Sequence, residues 1–238
     1  MPGPGSSCGP DGHPARNREG RVGSTGAGKR LPGTPATGLD MAAKRVRLAD
    51  GREVGFDKVL IATGARVRPW PNEAEAALDG VFVLRTLEQA NLLRQRLAAG
   101  TGRVLVIGAG FTGSEVASVC RDLGLPVTVV ESGPAPLSGA LGGVIGAIAG
   151  DMQRAHGVDL RCGVKVTALE GDSDGRLRGA RLSDGGTVDA DVAVVALGAI
   201  RNVEWLQGSG LAASVWGVAC DAGCRAVDFN GLVTDDVF

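Results

Sequence analysis

The sequence predicts an α/β fold in which a βαβ unit is followed by a β-meander. A buried strand at Arg103–Ile107 leads into the glycine-rich loop Gly108–Gly113 (GAGFTG), and an apolar run with helical spacing continues to Leu123. A second apolar strand covers Pro126–Glu131, and shorter strand patterns follow it. The two strands and their helix take up about thirty residues, the length of a Rossmann-type βαβ unit.

The elements before residue 100 are predicted from local patterns. Residues 1 to about 35 contain many Gly, Pro, Ser and Arg and few large apolar side chains, so we expect a disordered tail. Apolar residues on both sides of Asp50-Gly51 predict a hairpin of two short strands. The run Lys58–Gly64 predicts a buried strand that ends at a glycine. Residues 86–99 predict a helix, and its expected inward residues are Leu87, Ala90, Leu93 and Leu97.

The glycine loop is expected to open a helix that ends near Gly124. The inward residues predicted for this helix are Val116, Ala117, Val119, Cys120 and Leu123. A second, Gly-rich helix is predicted over Leu141–Ala155. The strands predicted after it are Asp159–Cys162, Lys165–Glu170, Leu177–Leu182, one near Val188, and Asp191–Leu197 before Gly198.

Composition excludes several classes of protein. An apolar fraction of 44% in 238 residues supports a hydrophobic core, and a net charge of −1 argues against a nucleic-acid binder. No run of eighteen apolar residues predicts a membrane span, so we expect a cytoplasmic protein. The five cysteines form neither a disulfide framework nor a CxxC pair, and only two histidines are present, so no metal site is predicted.

The glycine loop has the residues that a dinucleotide diphosphate requires. Gly108 permits the tight turn after the strand, Gly110 lets the diphosphate approach the main chain, and Gly113 lets the helix pack against the strand. The start of the helix, with Phe111 and Thr112, presents unpaired N–H groups and the positive end of its dipole.

A carboxylate follows at the position that reads the ribose. Glu131 lies twenty-three residues after Gly108, at the end of the second strand, where it accepts hydrogen bonds from ribose hydroxyls and repels a 2′-phosphate. The next residues, Ser132–Pro134, offer no arginine, so we predict NADH rather than NADPH. Glu115, in the first turn of the helix, is either a favourable acid at a helix N-terminus or a polar group near the nicotinamide.

Three motifs in a fixed order connect the sequence to a known family. They are Ile61–Ala65 (IATGA), Val106–Glu115 (VIGAGFTGSE) and Val195–Gly198 (VALG), and Arg85–Ala90 (RTLEQA) and Gly231–Asp235 (GLVTD) add to the likeness. Over about residues 36–238 the sequence resembles the FAD- and NAD-dependent pyridine nucleotide oxidoreductases. Within them it is similar to the bacterial ferredoxin reductases of the putidaredoxin and rhodocoxin reductase type.

The resemblance implies an NAD-binding domain at residues 101–214, inserted in an incomplete FAD-binding domain formed by residues 36–100 and 215–238. It also implies that a hydride passes from NADH to FAD and that electrons then leave singly to a small iron–sulfur ferredoxin. Carried over residue by residue, the expected FAD neighbours are Thr63, Gly64, Arg68 and Arg85. The expected NADH neighbours are Gly110, Glu115, Glu131 and Gly198, with Glu115 as the candidate catalytic residue at the flavin–nicotinamide junction.

The sequence departs from the family at both ends of the likeness. Members of the family begin with their own βαβ unit and GxGxxG, and they continue after a segment like Val233–Phe238 into a Gly-Asp motif that holds the flavin. Neither is found here, so we expect an internal fragment with an exposed apolar edge at Val59–Ala62. A flavin-free NADH-binding module without catalytic activity is the alternative. A disulfide reductase of the lipoamide dehydrogenase type is disfavoured, because only Cys8 lies where its paired cysteines would be.

Overall fold

The computed structural model describes residues 28–100 and 102–238. The chain divides into two compact units, residues 1–35 and 36–238. Of the first unit, residues 28–35 are described, with a turn at Pro32-Gly33; the rest of the predicted disordered tail lies outside the described residues.

Fifteen strands and four α-helices are found in the described residues. The strands are β1 Ala36–Asp40, β2 Arg45–Leu48, β3 Glu53–Gly55, β4 Ala65–Val67, β5 Val81–Val83, β6 Val104–Ile107, β7 Val127–Glu131, β8 Asp159–Cys162, β9 Val166–Gly171, β10 Leu177–Leu182, β11 Thr187–Asp189, β12 Val192–Val195, β13 Ala199–Arg201, β14 Ala213–Ser214 and β15 Gly217–Val218. The helices are α1 Glu73–Ala76, α2 Leu87–Ala98, α3 Phe111–Asp122 and α4 Ser138–Ala155, with a 3₁₀ helix at Glu204–Leu206.

A five-stranded parallel sheet forms the centre, with strand order β5-β12-β6-β7-β8. Every residue of β6 and β12 is buried, as expected for parallel strands covered on both faces. One face packs against α2 and α3, and the other packs against the antiparallel meander β9–β11. The α/β fold class, with a βαβ unit followed by a β-meander, is confirmed.

The helices begin and end close to their predicted positions. Thr86 and Gln89 form a capping box at the start of α2, and Gly124, with φ +72°, follows the last turn of α3. Three predicted inward residues are wrong, since Val119 is 50%, Leu123 54% and Leu87 69% exposed. The buried stripe of α3 is narrow, and Leu123 and Leu87 lie at helix ends beyond the face that meets the sheet.

A second core joins distant parts of the chain. The hairpin predicted around Asp50-Gly51 is confirmed as β2 and β3, and β1 adds a third strand. This antiparallel sheet packs against the 3₁₀ helix and the segment that follows it. The buried residues of this core are Leu39, Leu206, Leu211, Ala226 and Val237.

The predicted buried strand at Lys58–Gly64 is wrong. Val59 makes one isolated parallel bridge with Val237, and the amides of Val59, Ile61 and Phe238 complete a short ladder with N···O distances of 2.6–2.9 Å. Leu60 is 72% exposed, and among the described residues the backbone of Val59–Ile61 pairs with one neighbouring segment, residues 236–238. The exposed apolar edge expected here is therefore present at Leu60.

Among the described helices, none has both the length and the hydropathy that crossing a bilayer requires.

Candidate functional site

The glycine loop is held tightly between the carboxyl ends of neighbouring strands. Gly108 has φ +100°, and a Cβ at this position would lie 2.7 Å from the carbonyl oxygen of Ala196, just after β12. On its other side the Gly108 amide donates to the carbonyl oxygen of Val130, at 2.8 Å. The loop therefore crosses the edge of the sheet in a conformation that only glycine adopts without strain at this position.

The other two glycines of the motif have opposite surroundings. A Cβ on Gly113 would collide with the carbonyl oxygen of Gly108, so the first turn of α3 packs directly against the loop. A Cβ on Gly110 would meet no atom within 4 Å. Gly110 is the N-cap of α3 and supplies no side-chain cap, so this helix end is open to an anionic ligand. Phe111 and Thr112, in the first turn, are exposed.

Glu131 ties the loop to the end of β7. Its Oε2 accepts a hydrogen bond from the amide of Ala109 at 2.7 Å, and its Oε1 accepts one from the amide of Gly133 at 2.6 Å. The hydroxyl of Ser132 also donates to Oε1, at 3.3 Å. Because a carboxylate oxygen has more than one acceptor direction, the carboxylate can still accept from a ligand's hydroxyl groups.

A cleft of about 400 Å³ opens at the carboxyl ends of β6, β7 and β12. Ligands of open α/β sheets bind at this end of the strands. Among the described residues that line it, Glu131 and Lys165 carry charge. The lining residues are Trp70, Pro71, Ile107, Gly108, Gly110, Val130, Glu131, Ser132, Lys165, Val166, Ala196 and Leu197.

A second group of predicted residues meets on a two-stranded ribbon of β4 and β13. The Thr63 hydroxyl donates to the carbonyl oxygen of Asn202 at 2.6 Å, and the Asn202 amide donates to the carbonyl oxygen of Gly64 at 3.0 Å. The Arg68 amide donates to the carbonyl oxygen of Gly198, also at 3.0 Å. The fold therefore brings together four predicted site residues from distant parts of the chain, Thr63, Gly64, Arg68 and Gly198. Thr63 and its partner Asn202 are 139 positions apart in the sequence.

Side-chain hydrogen bonds stiffen this ribbon. Arg66 donates from Nη1 to Oδ1 of Asn202 at 2.8 Å and from Nη2 to Oε1 of Glu204 at 2.7 Å. That ion pair lowers the pKa of the Glu204 carboxyl from its ordinary value. Thr63 and Gly64 also line a second cleft, of about 300 Å³.

Two predicted site residues lie apart from both clefts. Glu115 is on the exposed face of α3, and Arg85 is an exposed residue between β5 and α2 whose amide donates to Oε1 of Gln89, at 2.9 Å. Neither lines the two clefts described above. Their roles at the nicotinamide and the flavin stay predictions.

Two residues of the first cleft were missed by sequence reasoning. Trp70 is buried, and its indole Nε1 donates to Oε2 of Glu75 at 2.6 Å. Lys165 comes from the turn before β9. Neither belongs to a motif, and the cleft receives them through tertiary packing alone.

The four cysteines among the described residues give no sign of a metal or disulfide site. Cys120, Cys162, Cys220 and Cys224 make no disulfide bond, and burial raises the pKa of the Cys120 thiol to about 11. Within residues 28–100 and 102–238, no cluster of three or more His, Cys, Asp or Glu side chains could hold a metal ion.

The chain is similar to known proteins in both sequence and fold. The family model described as pyridine nucleotide-disulphide oxidoreductase matches residues 8–230. The ferredoxin–NAD(+) reductase component of the anthranilate 1,2-dioxygenase system of Burkholderia cepacia is 39% identical over 82% of this chain and 47% of its own length. Rhodocoxin reductase of Rhodococcus erythropolis is 37% identical over 83% of this chain and 45% of its own length.

Solved structures show the same likeness. The covalent complex of putidaredoxin reductase with putidaredoxin matches with a TM-score of 0.74 and 29% identity, over 86% of this chain and 49% of that one. A ferredoxin reductase from Rhodopseudomonas palustris matches with a TM-score of 0.69 and 34% identity, over 76% of this chain and 44% of that one. The chain thus spans about half the length of the relatives it matches.

Proposed function

Because the chain belongs to the pyridine nucleotide-disulphide oxidoreductase family, and the relatives it matches are ferredoxin–NAD(+) reductases, we propose that it binds NADH as part of a flavin-dependent ferredoxin reductase. One observation carries the proposal. The uncapped start of α3, the open space at Gly110 and the carboxylate of Glu131 all border one cleft at the carboxyl ends of the parallel strands.

Each part of the cleft has a role in binding the dinucleotide. The N–H groups at the start of α3 hold the diphosphate, and Gly110 lets it approach the main chain. Glu131 accepts from the ribose hydroxyls while it keeps its hydrogen bond to the amide of Ala109. The dinucleotide's other end then extends past Gly198 toward the ribbon that carries Thr63, and Glu115 is the candidate polar group at that junction.

The flavin side is supported less fully than the dinucleotide side. When bound, NADH supplies a hydride and FAD accepts it and passes single electrons to a ferredoxin. Thr63 and Gly64 border the 300 Å³ cleft, but none of the described residues lining it belongs to the first turn of an α-helix that could hold a second diphosphate. The fit to FAD is therefore partial, and we assign no step of the reaction to flavin contacts in this chain.

This partial fit favours a second candidate, a flavin-free module that binds NADH without catalysis. The two candidates predict different properties of the purified protein. A reductase shows flavin absorbance and reduces a dye with NADH, whereas the module is colourless and still binds NADH. Protein that is colourless and inert yet binds NADH would support the module.

We also propose how the unit is divided between the two nucleotides. The sequence suggests an NAD-binding domain over residues 101–214, but β5 and α2 pack with the parallel sheet, and Leu206 and Leu211 pack with the second core. We therefore place the NAD-binding part at about residues 70–200 and the flavin-side part in the segments on either side. Limited proteolysis should cut first outside 70–200; cuts inside the parallel sheet would contradict this division.

The experiment that tests NADH binding is calorimetry on the full chain. We expect heat of binding with NADH and weaker binding of NADPH, and we expect Glu131→Ala to weaken NADH binding about tenfold or more, since it removes charged hydrogen bonds. Absence of heat with either nucleotide, on folded protein, would refute the proposed function.

A further inference from the structure

The cleft contains a positively charged side chain, which does not come from the residues directly after Glu131. Lys165 lines the cleft with Glu131 and Ser132, and among the described lining residues it is the one cation. No ion pair of its ammonium group is found within the described part of the chain. A cation beside the carboxylate that reads the ribose is a feature that local sequence does not predict.

Main-chain hydrogen bonds hold the segment that precedes Lys165 against the backbone of Glu131 and Gly133. The amide of Gly163 donates to the carbonyl oxygen of Gly133 at 2.8 Å, and the amide of Val164 donates to that of Glu131 at 3.3 Å. Lys165 is held in turn by Ser183, whose Oγ accepts from the Lys165 amide at 3.0 Å and whose own amide donates to the Lys165 carbonyl at 2.8 Å. The lysine side chain therefore starts from a backbone held by hydrogen bonds, in the same cleft as the Glu131 carboxylate.

This position bears on the 2′-phosphate that distinguishes NADPH from NADH. Glu131 accepts from the ribose hydroxyls, so a phosphate on the 2′-oxygen is repelled by that carboxylate. The same phosphate would lie within the cleft that Lys165 lines, and an ammonium group attracts phosphate as a point charge. The two side chains thus act on one substituent with opposite sign.

We propose that Lys165 is a specificity-determining residue that reduces the cleft's discrimination against a 2′-phosphate on the adenosine ribose. The inference rests on the proposed binding of NADH in this cleft and goes beyond it. Glu131 sets the preference for NADH, and Lys165 limits how strong that preference becomes. Replacing Glu131 should lower the ratio of NADH to NADPH affinity, and replacing Lys165 should raise it.

Fragment ligands measure this effect without flavin or catalysis. Calorimetry on the full chain compares 5′-AMP with adenosine 2′,5′-bisphosphate, which differ by the 2′-phosphate alone. We expect Lys165→Ala to weaken binding of the bisphosphate by about three- to fivefold, the upper part of the range for a solvent-exposed ion pair, and to change AMP binding by less than about twofold. Lys165→Arg should restore most of the loss, and Glu131→Gln should strengthen bisphosphate binding relative to AMP.

A matched control separates the local contact from net charge. Arg94→Ala removes one exposed cation from α2, on the opposite face of the sheet from the meander, and should leave both affinities unchanged. If Lys165→Ala weakens AMP and bisphosphate equally, or changes neither, the role of Lys165 is refuted while NADH binding stands. If the wild-type chain binds neither fragment nor NADH, the proposed function fails together with this inference.

Discussion

Alanine should affect stability differently at two glycines of the same loop. Gly110 has φ −71° and ψ −169°, which alanine adopts readily, and a Cβ there meets no atom within 4 Å. Gly110→Ala should therefore change the free energy of unfolding by less than about 1 kcal/mol, because the gain from restricting the unfolded chain offsets the poorer fit of alanine at a helix N-cap. The new methyl group occupies the space where a diphosphate approaches, so NADH affinity should fall about tenfold or more, equivalent to about 1.4 kcal/mol.

Gly113→Ala should instead disrupt the fold at this point. Its Cβ would collide with the carbonyl oxygen of Gly108 and lie 3.3 Å from Cγ1 of Val106. Forcing an extra carbon into packed surroundings costs about 1–3 kcal/mol, which exceeds the gain of up to about 1 kcal/mol in helix propensity. We expect lower stability and weaker NADH binding together, because α3 must move away from the strand.

Urea unfolding and calorimetry with NADH measure both properties on the same protein. Gly143→Ala is the control, since Gly143 is exposed in α4, just after the non-helical Gly142, with open space around it, and the substitution should leave NADH binding unchanged. The reasoning is refuted if Gly110→Ala binds NADH like the wild type. It is also refuted if Gly110→Ala loses as much stability as Gly113→Ala.

Three further substitutions test the carboxylates and the buried thiol. Glu131→Ala should lower stability by about 1–3 kcal/mol, measured by urea unfolding, because the amides of Ala109 and Gly133 lose a charged acceptor; unchanged stability would contradict this role. The Arg103 side chain lowers the pKa of the Asp191 carboxyl, so the stability that Asp191 provides is present above the ordinary pKa of 3.8 and is lost as pH falls through the lowered pKa. Asp191→Asn should therefore be less stable at neutral pH and should lose less stability as pH falls. Equal losses of stability in the two proteins would disprove the linkage. Burial raises the pKa of the Cys120 thiol from 9.0 to about 11. Thermal unfolding should therefore show that the stability of the wild type falls between pH 9 and 11 and that the stability of Cys120→Ala falls less. Identical pH profiles would contradict this effect of the buried thiol.

The βαβ unit could be predicted because its signals are local. The apolar strands β6 and β7, the glycine loop and the carboxylate at the end of β7 lie within about thirty residues, and each has a steric or electrostatic requirement that few residue types meet. The hairpin around Gly51, with φ +83°, was predictable for the same reason.

Elements defined by distant partners could not be predicted. The strand β5 is three residues long, and its strand partner among the described residues is β12, more than a hundred residues later. The ribbon of β4 and β13 likewise depends on a pairing across the whole unit. The run Lys58–Gly64 failed for the converse reason: its apolar composition suits a buried strand, but burial requires neighbours on both sides.

The candidate site shows the same division. The position of Glu131 at the end of β7 could be predicted from its spacing after the glycine loop, while its role at the ribose stays a prediction. The structure adds that both of its oxygens accept hydrogen bonds from main-chain amides. Lys165 and Trp70 reach the cleft from segments with no motif, so their placement follows from packing of the meander and of the chain before α1 against the sheet.

The bridge between Val59 and Val237 has a consequence for synthesis on the ribosome. The residues that complete this ladder emerge about 180 positions after the segment they hold, which corresponds to about ten to thirty-five seconds at ordinary elongation rates. During that interval the β1–β3 region has emerged without Ala226 and Val237, its partners in the second core, while the parallel sheet is complete once β12 has emerged. The nascent chain therefore exposes the apolar side chains near Leu60 throughout that interval, a period in which a chaperone has access to them.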